Sequence, residues 1–346
     1  MILHIAIADS NNEYVERFAL ALGQQEEVRL STYTDVEALK SDLRYKKIDV
    51  FLFDPSIYEG QFDIGKNTLA IMLLDDTEDI PDTCRDFVKV NKFQRVSRIY
   101  KQVLELYSSV APDKRNILGQ NKAKIIAVYS PIGGAGVTSI ALAVTRKYAS
   151  TGKKTFYLSF EDISSEGYYL PQESNHGMSD LAMHLGDNID FTMRLKSLLL
   201  DKGENFYYLK HFDSPNDIYA LSDDEVTELL DNIASSGLFD YVIVDMGTSV
   251  NNQSQRIFEA ADKILLIERC DYISQMKMSS FLSQVHIINN YAQKMIRMIN
   301  FSNGSGSKLR MGIPIVGVIS AMQNPDPVQF LEIVAGKSCN GIVEAV

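Results

Sequence analysis

Between Lys124 and Val144 the chain runs Lys-Ile-Ile-Ala-Val-Tyr, then Ser-Pro-Ile-Gly-Gly-Ala-Gly-Val-Thr-Ser, then Ile-Ala-Leu-Ala-Val. The first apolar run reads as a buried strand and the last as the opening of a helix. A glycine-rich turn between strand and helix directs several backbone N–H groups, and the positive end of the helix, at one point, which suits a phosphate chain. In the usual loop of this kind a lysine precedes the Ser/Thr and reaches the outer phosphates. Here that place holds Val137, so the loop is equipped to cradle phosphates and poorly equipped to break them.

Around this loop the remaining strand candidates are Thr155–Phe160, Phe206–Leu209, Phe239–Asp245, Lys263–Glu268, Met295–Asn300 and Ile313–Ser320. Most are unbroken apolar runs, as expected of parallel strands buried on both faces. Helical stretches separate them. One is Ser222–Ser235, opening on Ser-Asp-Asp-Glu, a capping box. The spacing predicts a three-layer α/β domain. A Rossmann dinucleotide fold is the competing reading of the glycines, but the third glycine is missing, and Glu161 stands closer than the usual ~20 residues.

Two further motifs bear on the loop. Leu238-Phe-Asp-Tyr-Val-Ile-Val-Asp-Met-Gly247 is an apolar strand ending in an acid, Asp245, the form in which a carboxylate orients Mg²⁺ or its water. In the run ending Phe160-Glu161-Asp162, the acids at the strand end are candidates to position a water, and a solvent-facing role competes with that.

The 346 residues leave room for more than this domain. Residues 1–109 alternate β-rich runs (Ile2–Ala8, Val28–Thr32, Ile48–Phe53, Leu69–Leu74, Asp86–Val90) with helical stretches (Asn12–Leu22, Asp35–Tyr45, Phe93–Tyr107). This is the pattern of a flavodoxin-like doubly wound sheet, whose sites lie at the carboxyl ends of the strands. Asp9 and Asp54 fall at such ends. Residues 110–122, polar and turn-rich with Pro112 and Gly119, read as a linker, and 123–346 as the second domain.

Composition narrows the classes. Apolar residues make up 45% and charged residues 23%, which predicts a globular chain with a substantial core. The net charge of −11, with no run of Lys or Arg, disfavours non-specific binding to nucleic acid or anionic lipid. Cys84, Cys270 and Cys339 are widely spaced, which suggests neither a disulfide framework nor a zinc or iron–sulfur site, and fits a reducing cytoplasm. The N-terminus turns polar within nine residues, unlike a signal peptide. No run approaches the ~20 apolar residues that span a bilayer. The five histidines form no metal-ligand spacing, and Ile163–Asp190 reads as a surface insertion, with a mobile partner loop as the alternative.

Two resemblances follow from these motifs. The first domain resembles a response-regulator receiver, with Asp54 of Lys47-Ile-Asp-Val-Phe-Leu-Phe-Asp54-Pro55 at the phosphoacceptor position and Asp9 beside it. It departs from that pattern in three places. Ala8 precedes Asp9 where receivers have a second acid. Leu74-Asp75-Asp76 replaces their Ser/Thr. Lys89-Val90 or Lys92-Phe93 stands in place of Lys-Pro. An aspartyl phosphate short of Mg²⁺ and lysine would lack most of its charge compensation, so a degenerate docking domain is expected, with plain strand-end acids as the bland alternative.

The second domain resembles the MinD/ParA family of deviant Walker A ATPases, and a receiver-like domain in front resembles the CpaE/TadZ branch of that family. The resemblance implies ATP and Mg²⁺ at Ile132, Gly133, Gly134, Ala135, Gly136, Val137, Thr138 and Ser139. Thr138 and Asp245 would hold the metal directly or through water. Glu161 would take the place of the family's water-positioning Asp, with Ser159 replacing its companion. Asn300 would face adenine, with an ordinary turn residue as the alternative. Ile132 and Val137 replace both family lysines, so weak or absent hydrolysis is expected, because charge-stabilising groups of this kind are worth about 10³–10⁵ in rate.

The branch further implies a homodimer that localises Tad/Flp pilus assembly proteins from the cytoplasm, at a pole or the inner membrane face. Peripheral membrane contact is left open and no nucleic acid is expected. The alternative is a hydrolysing ParA/MinD-type positioning ATPase acting in DNA partition or cell division.

Overall fold

The structure, a computed structural model, describes residues 2–23, 28–58, 64, 68–75, 80–110, 122–171, 174–187, 190–304, 312–322 and 326–345. The expected linker falls almost wholly outside them. The chain divides into two compact units, one within 1–114 and 188–197, the other within 115–187 and 198–346.

The first unit runs β1 (Leu3–Ala8), α1 (Asn12–Leu22), β2 (Val28–Tyr33), α2 (Val36–Tyr45), β3 (Val50–Phe53), β4 (Leu69–Leu74), β5 (Val88–Asn91) and α3 (Val96–Val110). Among the described residues its sheet has the order β2-β1-β3-β4-β5, every pairing parallel. That is the flavodoxin order expected from sequence. Alternation along β1 sends Leu3, Ile5 and Ile7 to the face covered by Phe18 of α1 and Val103 of α3, and Ala6 and Ala8 to the face covered by Leu39 of α2. The Asn11 and Asp35 side chains accept first-turn N–H groups of α1 and α2, which fixes where those helices begin.

The helix Phe191–Leu198 corrects the sequence reading at this point. It lies in the range assigned to the second domain, yet Met193, 4% exposed, joins the first core, the cluster that also holds Leu104 and Tyr107. Arg194 pairs with Glu105 at 2.6 Å, and the Asp190 N–H donates to the Ser108 carbonyl at 3.3 Å. The 163–190 stretch that leads to it is no plain surface insertion either: Glu166, Leu170, Met178 and Leu181 are all buried.

The second unit holds β6 (Lys124–Tyr129), α4 (Val137–Ser150), β7 (Thr155–Phe160), α5 (Met178–Ala182), β8 (Leu200–Gly203), β9 (Phe206–Tyr208), α7 (Pro215–Ala220), α8 (Asp223–Ser235), β10 (Tyr241–Met246), α9 (Asn252–Ala260), β11 (Lys263–Arg269), α10 (Tyr272–Leu282), α11 (Val285–Tyr291), β12 (Met295–Ser302), β13 (Ile315–Ser320), α12 (Pro327–Ile333) and α13 (Asn340–Ala345); Phe191–Leu198 is α6. Its described strands form one sheet, β13-β12-β11-β6-β10-β7-β9-β8, parallel except for the β8–β9 hairpin. That hairpin turns through Glu204 and Asn205, both at positive φ (56° and 66°), the backbone of a tight primed turn. At α8 the capping box closes reciprocally, Ser222 N–H to Glu225 at 2.8 Å and Glu225 N–H to the Ser222 hydroxyl at 3.3 Å.

This order places the site. β6 lies between β11 and β10, and β7 lies beyond β10. Parallel strands end at one edge, so Arg269 of β11, Asp245 of β10 and Glu161 just after β7 all lie at the sheet edge from which the loop after β6 departs. Among the described residues no helix is long and apolar enough to cross a membrane.

Candidate functional site

The loop after β6 is shaped by its glycines and by what braces them. Gly134 and Gly136 take φ of 68° and 88°, the left-handed region that strains any residue with a Cβ. Gly136 is the N-cap of α4 and supplies no side-chain acceptor to the first turn, so the helix N–H groups stay open to an anion. Its other constraint is Asn300, fully buried, whose amide donates to the Ala135 carbonyl at 2.8 Å and accepts the Phe301 N–H at 2.9 Å. A Cβ at Gly136 would stand 2.5 Å from that amide nitrogen. Asn300 thus holds the loop from beneath.

The two lysine positions are filled by apolar side chains packed inward, Ile132 at 5% and Val137 at 9% exposure. Ser130 anchors the start of the loop, donating to the Ile267 carbonyl at 2.8 Å and accepting the Ile132 N–H at 3.2 Å. Ser139 meets the Tyr169 hydroxyl at 3.0 Å.

Asp245 is fully buried at the end of β10. Tyr157, inside β7, donates to its Oδ2 at 2.7 Å, while its Oδ1 is buried with no hydrogen-bond partner. Burial, and then the charges of Glu161 and Glu166, push its pKa well above the ordinary carboxylate value, against the Tyr157 and Thr138 side chains, which pull it down. Glu161 is half-buried and its Oε2 is likewise without a partner. An open helix N-terminus beside two carboxylate oxygens lacking donors suits a magnesium-bound polyphosphate: the anion meets the N–H groups and the cation meets the acids. Among the described residues no three His, Cys, Asp or Glu side chains are grouped to hold a metal unaided. The cation would therefore depend on ligand oxygens and on Thr138 as well.

In the first unit Lys92 Nζ lies 2.6 Å from Asp9 and 2.6 Å from Asp54. This corrects the expectation that the pocket lacks its lysine: the residue after β5 points back between the two acids. Ser56 donates to Asp54 through its N–H at 3.0 Å and its hydroxyl at 2.6 Å. Burial opposes the Asp54 charge, but the bonds from Lys92 and Ser56 outweigh it and hold the pKa below the ordinary value. Burial opposes the Lys92 charge too, and the carboxylates overcome it and raise the pKa. Ala8 remains where a second acid would be, Asp75 where a hydroxyl would be, and Asp76 lies outside the described residues.

Sequence reasoning missed Tyr157, Glu166, Arg269 and Phe301. Tyr157 carried a partial signal: a hydroxyl inside an apolar parallel strand needs a partner, though which strand supplies it is set by the sheet order. Arg269, at the carboxyl end of a strand neighbouring the loop, carried another.

The arrangement defines a receiver-type domain followed by a P-loop nucleotide-site fold. Residues 1–108 match the family model of the TadZ-like receiver domain. No curated protein matches the chain. Among solved structures, the second domain is similar to a ParA family ATPase from Chlorobium tepidum (15% identity, TM-score 0.53, covering 65% of this chain and 97% of that one). It is similar also to a putative plasmid partition protein from Borrelia burgdorferi bound to AMPPNP (14%, TM-score 0.50, 65% and 100%), and to the cell division ATPase MinD of Pyrococcus furiosus (12%, TM-score 0.50, 65% and 100%). Residues 1–108 are thus a TadZ-like receiver domain, and they are followed by a domain of the MinD/ParA fold.

Proposed function

We propose that the second domain binds ATP with Mg²⁺ at the 132–139 loop, and that the loaded protein pairs as a homodimer that positions Tad/Flp pilus assembly proteins, with little or no hydrolysis. One observation carries this reading. The loop keeps its left-handed glycines, open helix N-terminus and unpartnered Asp245 oxygen, while Ile132 and Val137 are packed inward where lysines would face phosphate.

The N–H groups from Gly133 to Ser139 hold the phosphates. Thr138 and Asp245 hold the cation, and Asn300 keeps Ala135 in place beneath them. Bound Mg²⁺ would supply the charge compensation that the loop's own side chains lack. Pairing is supported by the surface beside the loop: Tyr272, Ile273 and Met276 of α10 are exposed, at 79%, 69% and 54%, and border a groove of about 450 Å³ with Pro131 and Val250. The expected location is the cytoplasm, at a pole or the inner face of the membrane. The net charge of −11 argues against a nucleic-acid partner.

Glu161 favours a second reading, a hydrolysing positioning ATPase, because its unpartnered Oε2 lies at the strand end where an attacking water would be oriented. One experiment separates the two. Purified protein is assayed for Mg-ATP binding, for mass by light scattering with and without ATP, and for turnover. The scaffold reading expects binding, a larger dimer fraction with ATP, and turnover about 10³-fold or more below that of a lysine-bearing relative. Absence of binding, or turnover equal to the relative's, would refute it.

A further inference from the structure

The loop has lost both of its lysines, yet a guanidinium touches it. Arg269 closes β11, the strand paired with β6, and so arrives at the sheet edge from which the loop departs. Its Nη1 donates to the Gly134 carbonyl at 3.3 Å. Its guanidinium carbon lies 5.2 Å from the centre of the Phe301 ring, and its Nε lies 3.1 Å from Asp271. Asp271 is in turn fixed as the N-cap of α10 by the Ser274 N–H at 3.0 Å. Phe301 takes a left-handed φ of 53°, a conformation that strains a bulky residue and persists only where its surroundings enforce it. From there its ring stands 3.9 Å from the Cβ position of Gly136.

We propose that Arg269 is a phosphate-binding residue that supplies, from the neighbouring strand, the positive charge the loop no longer carries, and that its ligand is a nucleoside di- or triphosphate. The proposal rests on the nucleotide reading given above. Three features support it. The guanidinium is oriented by Asp271 and Phe301, while the Arg269 side chain keeps 35% of its surface open. A planar fork held in this way can present remaining N–H groups to a phosphate in bidentate fashion. Bracing of the loop is already provided by Asn300 on Ala135, so the Gly134 contact is not needed to hold it. Finally, the open N-terminus of α4 and the buried, unpartnered Oδ1 of Asp245 mark the same edge as the seat of an anion and its cation.

The test uses the full-length protein and its Arg269→Gln and Arg269→Lys variants. Affinities for Mg-ATP, Mg-ADP and AMP are measured by calorimetry, alongside the melting temperature without ligand. A charge-assisted phosphate contact predicts that Arg269→Gln weakens Mg-ATP binding about 10- to 100-fold, Mg-ADP less and AMP within about twofold, with Arg269→Lys, which keeps the charge but not the planar fork, recovering only part of the loss. The apo melting temperature should be unchanged. Wild-type affinity in Arg269→Gln overturns the proposal, as does an equal loss for all three nucleotides with a lowered melting temperature, the mark of a merely structural arginine. If the wild-type protein binds no nucleotide, the nucleotide reading itself falls and takes this proposal with it.

Discussion

Replacing Lys92 with methionine removes one cation from between two buried carboxylates. The side chains of Lys92, Asp9 and Asp54 are 10%, 1% and 13% exposed, and both contacts measure 2.6 Å. An ion pair such as Arg17–Glu13, at 78% and 72% exposure, is screened by water and worth about 0–1 kcal/mol. The Lys92 site belongs to the other regime, where loss of one partner strands an uncompensated charge and costs about 3–5 kcal/mol. Against a domain stability of about 5–15 kcal/mol this is a large fraction.

The pH dependence has a definite sign. The folded pKa of Asp54 lies below its unfolded value, so its contribution is complete above about pH 4 and is lost as pH falls through the folded pKa. The folded pKa of Lys92 lies above its unfolded value, so its contribution is complete below about pH 10 and is lost above. The wild-type first domain should therefore keep a level stability between these limits. In Lys92→Met the stranded Asp54 carboxylate loses the partner that holds its pKa down and takes up a proton more readily, so the deficit should shrink as pH falls from 7 to 5.

The chain contains no tryptophan, so native-state hydrogen exchange read by mass spectrometry is the suitable assay. It also separates the first domain from the second. At pH 7 the slowest amides of β1 and β3 should exchange about 10²- to 10⁴-fold faster in the variant, at 1.4 kcal/mol per decade. A change under tenfold, or a deficit that grows on acidification, would refute the reasoning.

Two further outcomes are expected. Met193→Ala should destabilise the first domain by about 2–5 kcal/mol while leaving the second unchanged, because its 4% exposed side chain fills the first core; peptide-resolved exchange would show it. Gly136→Ala should cost the second domain about 2–4 kcal/mol by chemical denaturation, since the Cβ combines a strained φ of 88° with a 2.5 Å approach to the buried Asn300 amide.

Local signals carried much of the fold. Leu69–Leu74, Lys124–Tyr129 and Thr155–Phe160 are strands with the boundaries the sequence predicts, because a fully buried parallel strand is an unbroken apolar run flanked by polar turns. Asn12–Leu22 is likewise as predicted, its start fixed by an asparagine cap. β8 escaped notice because Leu-Asp-Lys-Gly has no apolar alternation: it is an edge strand, paired on one side and exposed along most of its length.

The placement of α6 with the first unit was not legible either. Its amphipathic pattern says that one face is buried but not against which core, and only the fold shows Met193 in the core of the first unit. At the glycine-rich loop the glycines and Asp245 announced themselves by spacing. Tyr157 and Arg269 did not, because the sheet order that makes their strands neighbours of β10 and β6 is set by long-range pairing. The Lys92 pocket sat between these cases: two lysines competed for one position in sequence, and only the turn after β5 decides which one points inward.

The position of α6 changes what a domain boundary means in this molecule. The backbone crosses from one unit to the other in the linker, returns before α6 and leaves again after it. The first unit is thus built from two separated lengths of chain, and in sequence the shorter one is preceded and followed by segments of the second unit. A cut within residues 111–121 would not divide the protein into its folded parts, because Met193 and Arg194 would go with the far fragment while the rest of the first core and Glu105 stayed with the near one. After such a nick the two fragments would share the core of the first unit rather than a peptide bond. A truncation that ends at the linker would instead leave the first core open at the place Met193 fills.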